Sequence, residues 1–336
     1  MYLEHRMLPG PYRRIQKRDS HLDNLIPPFV MDGQNTICKA RSHRESGRKG
    51  SKMNFDNQKM RNFENRIVET LRNEGIEVEA EEVEIVKNGI LCKAIRIRKE
   101  GSNICPVVYY SEQDTYEQFI LRIRSALESD VPRDSIKLLN DLNYVRNNVF
   151  LAVQKQSKEE IVKKEYLNLE LFMRIMLDLG GPSGAGSVKV TPGLVAQLSI
   201  TEDDLWDYAA ANSLKEAIIR NMAEILGLPD ADDEQSLYVA TTGQLTGGAS
   251  VLYFPDVFKQ FCEDHGETEC YMLPSSTEEI IVLKGSALAE GGLSMGELVR
   301  MVQTINADQV DPILQLEPAV YRYSIDTGEI DVVATL

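Results

Sequence analysis

Periodic sequence begins near Met53. Phe63, Ile67, Val68 and Leu71 recur at helical spacing, and Gly75 closes that helix. A hairpin follows. Glu82-Val83-Glu84-Ile85-Val86-Lys87 runs into Asn88-Gly89 and then into Ile90 through Arg98. Asn-Gly suits a type I′ turn, which needs positive φ at both central positions. That turn sets Glu84 opposite Lys93 but Glu82 opposite Ile95, so the pattern predicts a bulge near Ala94 to restore alternation. Pro106 through Tyr110 reads as a buried strand, and Tyr116, Phe119, Ile120, Ile123 and Leu127 mark an amphipathic helix. Next come a helix near 134–145, a strand at Val149–Val153, a short charged helix at 157–164, and an apolar strand over Leu167–Leu177.

The second half carries clearer start and stop signals. Thr201-Glu202-Asp203-Asp204 opens a helix through Asn212, with acids at its positive end. Ser213 and Glu216 make a capping-box pattern for a further helix, ending at Gly227 with Pro229 beyond. Leu237–Thr241 and Ala249–Phe254 read as paired strands. Pro255 opens a helix with Val257, Phe258, Phe261 and Cys262 on its apolar face, and Gly266 ends it. Tyr271–Leu273 and Glu279–Leu283 are strands. Ser294 and Glu297 cap a helix bearing Leu298, Val299, Val302 and Ile305, and a last hairpin turns at Asp326-Thr327-Gly328.

Hairpins and helices alternate without a repeating strand–helix unit. This predicts an α+β fold of mixed, mostly antiparallel sheets with packed helices, in two subdomains. The expected division is 53–179 and 188–336, joined by a Gly-rich linker at 180–187. Residues 1–52 lack a sustained apolar period. They read as a disordered extension, or as translated upstream DNA with Met53 as the start. Codons for Arg48-Lys49-Gly50-Ser51-Lys52 can be almost pure purine, as a bacterial ribosome-binding site is.

Charge changes the picture. The 336 residues hold 37 Lys/Arg against 52 Asp/Glu, a net of −15. The first 52 residues hold 11 against 5, a net of +6, so the body carries −21. An acidic body repels phosphate backbones, which argues against a nucleic-acid partner. His5, His21 and His43 precede the body and only His265 lies within it, so a multi-histidine metal site is excluded there. The cysteines (Cys38, Cys92, Cys105, Cys262 and Cys270) are odd in number and form no C-x-x-C, which reads as reduced cytoplasmic thiols. No apolar run approaches the ~20 residues that span a bilayer, so no membrane association is expected.

Several strings suggest chemistry, and each has a plainer explanation. Gly181-Pro182-Ser183-Gly184-Ala185-Gly186-Ser187 opens like a phosphate-binding loop, but Val188 stands where the chemistry needs a hydroxyl after a lysine. Cys262, His265 and Cys270 have metal-ligand character, yet Cys262 lies on an apolar helix face and His265 at a helix C-terminus, so no metal is assigned. Asp230-Ala231-Asp232-Asp233-Glu234 lacks the glycine and distal glutamate of a calcium loop. The remaining candidates are two loops. One is the Gly-rich stretch with Gly243, Gln244, Gly247 and Gly248, whose N–H groups could face an anion. The other is the hydroxyl-rich stretch with Ser275, Ser276 and Glu278. They flank neighbouring strands and are expected to meet at one edge.

A resemblance can be stated at this point. Tyr166-Leu167-Asn168-Leu169-Glu170-Leu171, Ser187-Val188-Lys189-Val190-Thr191 and Leu198-Ser199-Ile200-Thr201-Glu202-Asp203-Asp204-Leu205 carry it. So do Ala249-Ser250-Val251-Leu252-Tyr253 and, most distinctively, Tyr271-Met272-Leu273-Pro274-Ser275-Ser276-Thr277-Glu278-Glu279-Ile280-Ile281. From Met53 onward the chain resembles a widespread family of unknown function from gut clostridia, and more distantly a bacillar one. The resemblance implies a cytoplasmic bacterial protein and carries over no catalytic residue.

The residues lead first to a non-catalytic binding or regulatory protein, with no cofactor, acting on a protein partner or a small ligand. A small-ligand binder or enzyme using loops 241–248 and 274–279 is the alternative. An acidic nucleic-acid mimic is the third.

Overall fold

The computed structural model describes residues 57–99, 106–109, 115–128, 137–180, 184–225, 237–243, 246–274 and 276–336. The 1–52 extension, Met53, Cys38, Cys105, Tyr110, Pro182, Ser183, the helix end at Gly227–Pro229, the acidic 230–234 run, Gln244 and Ser275 lie outside the described residues.

Helix α1 (Asn57–Asn73) buries Phe63, Ile67 and Leu71. Gly75, at φ +80°, ends it: the Ile76 N–H donates to Leu71 O and the Gly75 N–H to Arg72 O, which satisfies two terminal carbonyls. Strands β1 (Val78–Lys87), β2 (Ile90–Lys99) and β3 (Val107–Tyr109) form an antiparallel sheet. With α1 and α2 (Tyr116–Glu128) they enclose one core, around Ile95, Ile97, Val108, Phe119 and Ile123.

Asn88 and Gly89 both take positive φ, as the turn requires. The expected bulge at Ala94 is absent, because β1 and β2 stay in register from Val78↔Lys99 to Lys87↔Ile90. The hairpin changes its apolar face along its length. Far from the turn, Ala80, Ile95 and Ile97 face the helices; toward the turn, Val83, Ile85, Cys92 and Ala94 are the covered side. Ala94 and Ile95 are both fully buried, on opposite faces, so the strand stays regular where the apolar pattern changes side. The tip is docked on the rest of the chain: Asn88 Nδ2 donates to Gln315 O (2.6 Å), and the Lys155 N–H donates to Asn88 Oδ1 (2.7 Å).

The expected 134–145 helix is broken at Asp141. A 3-10 turn (Leu138–Asn140) precedes α3 (Leu142–Asn148), and the Asp141 carboxylate caps α3 by accepting from the Asn143 and Tyr144 N–H groups. Strands β4 (Val149–Gln154), β5 (Lys163–Tyr166), β6 (Leu169–Gly180) and β7 (Gly184–Lys189) make a second antiparallel sheet, centred on β6. From Gly184 onward the Gly-rich stretch is therefore a strand paired with β6 and not a linker. Leu177 pairs with Gly186, and Gly180 with Gly184, across a register shift at Asp178/Gly180. The 157–164 segment is extended and not helical. Buried Glu170 holds it, accepting from the Ser157 N–H (2.7 Å), Ser157 Oγ (2.9 Å) and Lys163 Nζ (2.7 Å).

After α4 (Pro192–Leu198), helix α5 (Glu202–Glu216) begins at the Thr201 cap and runs past Asn212. Ser213 is buried inside it, where Oγ accepts from the Leu151 N–H of β4 (2.8 Å), so it is not the start of another helix. The chain passes directly into β8 (Ala217–Asn221), where β-branched Ile218 and Ile219 suit a strand. The remaining order is α6 (Met222–Ile225), β9 (Tyr238–Thr242), a 3-10 helix (Gly248–Tyr253), α7 (Pro255–His265), β10 (Glu269–Pro274), β11 (Ile280–Lys284), α8 (Gly285–Gly291), α9 (Met295–Gln309), β12 (Ala319–Ser324) and β13 (Ile330–Thr335). Residues 249–254 were expected as a strand. Gly247 at φ +64° instead starts the 3-10 turn, closed by the Ser250 N–H and hydroxyl on Gly247 O.

The six-strand sheet runs β13-β12-β10-β11-β9-β8, every pairing antiparallel. Both faces are buried. Val239, Tyr271, Leu273, Ile281 and Val320 pack under α8 and α9, while Tyr238, Met272, Val282 and Tyr321 face α7 and the β4–β7 sheet. Double burial explains why these strands read as apolar runs and not as alternation. One core extends from Val145 to Ile330, across the Gly-rich hairpin, and the 57–128 core is separate from it. The observed break between cores thus falls between α2 and the 138–140 turn, well before 180–187. The class is α+β.

Candidate functional site

The two candidate loops meet, and Glu278 joins them. Its carboxylate Oε2 accepts from the Gly247 N–H (2.8 Å), and its backbone carbonyl accepts from the Gly248 N–H (3.0 Å) and from Thr241 Oγ1 (3.0 Å). The Glu278 N–H donates to Ser276 Oγ (3.1 Å), and Thr277 Oγ1 donates to Glu278 Oε1 (3.0 Å). The Gly247 and Gly248 donors that could have faced an external anion are therefore matched internally. Ser276 is buried and turns its hydroxyl to the backbone. Gly243 sits at the end of β9, its N–H on Glu216 O (2.8 Å).

Close approach explains the glycines. A Cβ on Gly243 would lie 2.6 Å from Glu216 Oε2, and one on Gly247 would strike the Arg174 guanidinium. A Cβ on Gly248 would collide with Glu278 O and the Thr241 hydroxyl, and would lie 2.6 Å from Thr241 Cα.

Beside this junction lies a cavity of ≈ 10 Å³, room for about one water. Its polar walls are Arg174 of β6, Ser213 and Glu216 of α5, Thr242 of β9 and Thr246, and its larger apolar side is Phe150 and Leu151 of β4 with Met176 of β6. Arg174, Glu216, Thr246 and Phe150 are only half-buried, so the cavity reaches solvent. Arg174 Nε is sealed from water and has no hydrogen-bond partner among the described residues. Burial pulls the guanidinium below its ordinary range, opposed by the Glu278 charge. Arg174 and Glu216 line one cavity yet form no ion pair with each other; the carboxylate that acts on Arg174 is Glu278. Nearby, buried Glu279 leaves Oε2 without a partner among the described residues. Burial lifts its carboxyl to about 8, with the Glu278 charge adding to the effect.

Sequence reasoning missed Arg174, Ser213 and Glu216. Arg174 was legible as the lone cation in the apolar run from Leu169 to Leu177, but its destination was not.

Other groups have structural partners. His265 packs on Phe261 and Tyr238, with ring centroids at 4.5 and 4.8 Å, and its Nδ1 lies 2.8 Å from Phe261 O. Cys262 and Cys270 are fully buried thiols. The acid-rich β1 strand is answered by its neighbour: Glu81 pairs with Arg96, and Lys93 lies near Glu82. Among the described residues, no three His, Cys, Asp or Glu side chains group as metal ligands, and no helix is long and apolar enough to cross a membrane.

No curated protein and no solved structure matches the chain. Residues 57–325, well over half of the chain, match the model described as "Family of unknown function (DUF5688)", and the chain belongs to that family.

Proposed function

We propose that this is a non-catalytic binding protein that takes a small polar head group in the cleft between Arg174 and Glu216, beside the junction of loops 241–248 and 274–279. One observation carries it: the Arg174 guanidinium and the Glu216 carboxylate line a single cavity without pairing with each other. A ligand that meets charges already held in place gains affinity without a cost of reorganisation. The cavity has room for one polar group; the rest of a larger ligand would lie outside it. Gly247, Gly248, Ser276 and Glu278 then act as the frame of the cleft, and Gly243 leaves space for the Glu216 carboxylate. The bacterial, clostridial and cytoplasmic assignments belong to the same proposal, supported by the family motifs and the cysteine pattern.

The test is thermal unfolding of the full chain and its Arg174→Gln variant against small carboxylates, amines, amides, phosphate and amino acids. A ligand at 100 times its Kd adds about 2.7 kcal/mol, or roughly 5–10 °C at this domain size. A shift in the parent that Arg174→Gln abolishes supports the site. A shift of equal size in both proteins, or none in either, overturns it.

A further inference from the structure

We infer that residues 57–128 form a movable arm whose hairpin tip latches the junction of loops 241–248 and 274–279 by way of the 310–318 segment. The inference concerns the mobility of that junction and holds with or without a ligand in the cleft. The arm has a core of its own. Its tip is fastened by polar contacts. Asn88, buried at φ +48°, donates from Nδ2 to Gln315 O (2.6 Å) and accepts at Oδ1 from the Lys155 N–H (2.7 Å). One side chain thus stands between two distant segments, which the Lys155–Glu317 ion pair (3.8 Å) also draws together. Cys92, half-buried near the tip, lies close enough to Asp311 to feel its charge, which places the same segment beside the hairpin. Polar contacts between units with separate cores permit relative motion by default.

Residues 310–318 form no helix and, apart from one bridge, pair with no strand. Leu316 anchors them in the main core, and single hydrogen bonds set the rest. Gln315 Nε2 donates to Asn306 O (2.7 Å) and Val310 O (2.9 Å), which ties it to the end of α9. Gln315 also makes an isolated antiparallel bridge with Ser276, and the Thr277 N–H donates to Leu314 O (2.8 Å). Ser276 and Thr277 in turn support Glu278, which holds Gly247 and Gly248. The path from Asn88 to Gly247 therefore runs through paired polar groups at every step. Gln315 takes the arm on its carbonyl and the loop on its bridge. Held to α9 by its side chain, it passes a displacement on and does not absorb it. Segments held this way open locally at less cost than the whole fold. With the arm docked the junction is closed; with the arm released, 310–318, 246–248 and 276–278 loosen together.

Hydrogen exchange of the full chain, read by mass spectrometry, tests this with Asn88→Gly. A Gly-Gly pair keeps the type I′ turn, so the substitution removes only the two side-chain bonds. Exchange at Lys155, Thr277, Gly247 and Gly248 is expected to rise at least tenfold, and alkylation of Cys92 by iodoacetamide to rise with it, while β12 and β13 keep the parent's rates. Glu81→Gln removes the ion pair to Arg96 in the same hairpin, away from the tip, and should leave all of these within twofold; a larger change would overturn the role of the tip. Faster exchange at Lys155 alone, with 246–248 and 276–278 at parent rates, overturns the coupling, and no change anywhere overturns the latch. The parent chain gives a second reading that does not depend on the variant folding. In urea below the unfolding transition, Lys155, Thr277, Gly247 and Gly248 should open as one unit. Opening of Lys155 while Thr277 and Gly248 stay closed overturns the inference.

Discussion

Gly248→Ala tests the packing that joins the two loops. Gly248 lies where the 3-10 turn crosses β9 and the segment before β11. Its N–H donates to Glu278 O at 3.0 Å, and an added Cβ would sit 2.6 Å from Thr241 Cα, with Glu278 O and Thr241 Oγ1 closer still. Ordinary contact begins near 3.4 Å, so Thr241 Cα alone demands about 0.8 Å of relief and the Glu278 carbonyl oxygen demands more, both against backbone. Rotating a side chain cannot supply it. Overpacking of this kind costs about 1–3 kcal/mol. The displacement also strains two hydrogen bonds to Glu278 O, each contributing about 0.5–1.5 kcal/mol. The expected loss is roughly 2–6 kcal/mol, or a fall in Tm of about 4–24 °C at 2–4 °C per kcal/mol. Differential scanning calorimetry reads it directly, with Gly296→Ala as control. Gly296 has open space around its missing Cβ within α9, so that substitution should be neutral or raise Tm. A Gly248→Ala midpoint within 1 °C of the parent would refute the close approach.

Asn88→Ala removes both bonds at the hairpin tip and puts alanine at φ +48°; a loss of about 2–4 kcal/mol is expected. Urea unfolding should then split into two transitions, since the 57–128 core is separate, and a single unshifted transition would contradict the docking. Ser213→Ala leaves the Leu151 N–H without its acceptor, at a cost of about 1–3 kcal/mol. Hydrogen exchange at Leu151 should accelerate; unchanged protection would show that the bond is not formed. Glu279 binds its proton more tightly folded than unfolded, with a pKa raised from 4.5 to about 8. Its contribution is therefore fully present below about 4.5 and is lost as pH rises through about 8. Glu279→Gln should flatten that decline, so its advantage over the parent is larger at pH 8 than at pH 5; an equal difference at both values argues against a buried neutral carboxyl.

What could be read in advance about the site was its loops and not its charges. The glycines and hydroxyls at 241–248 and 274–279 are visible because turns need those residue types locally. Their meeting depends on β9 pairing with β11 across the six-strand sheet, and on Glu278 reaching Gly247, 31 residues away. Arg174 and Glu216 come from a strand and a helix of the neighbouring layer, and no local pattern links them to those loops.

The same division holds for the fold. Local physics placed α1 with its Gly75 stop, the Asn88-Gly89 turn, the Thr201 and Ser294 caps and the Pro255-to-Gly266 helix, because each depends on residues within a turn or two of one another. Tertiary contacts decided the rest. Ser213 became a strand's hydrogen-bond acceptor because α5 packs on β4, the 157–164 segment stayed extended because Glu170 holds it, and the hairpin tip is fixed by Gln315 and Lys155, far along the chain. Gly184 and Gly186 became part of a strand because β6 offers an unfilled edge beyond β5. A short-range pattern fixes backbone dihedrals and caps, but burial and long-range hydrogen bonds outweigh propensities of a few tenths of a kcal/mol per residue.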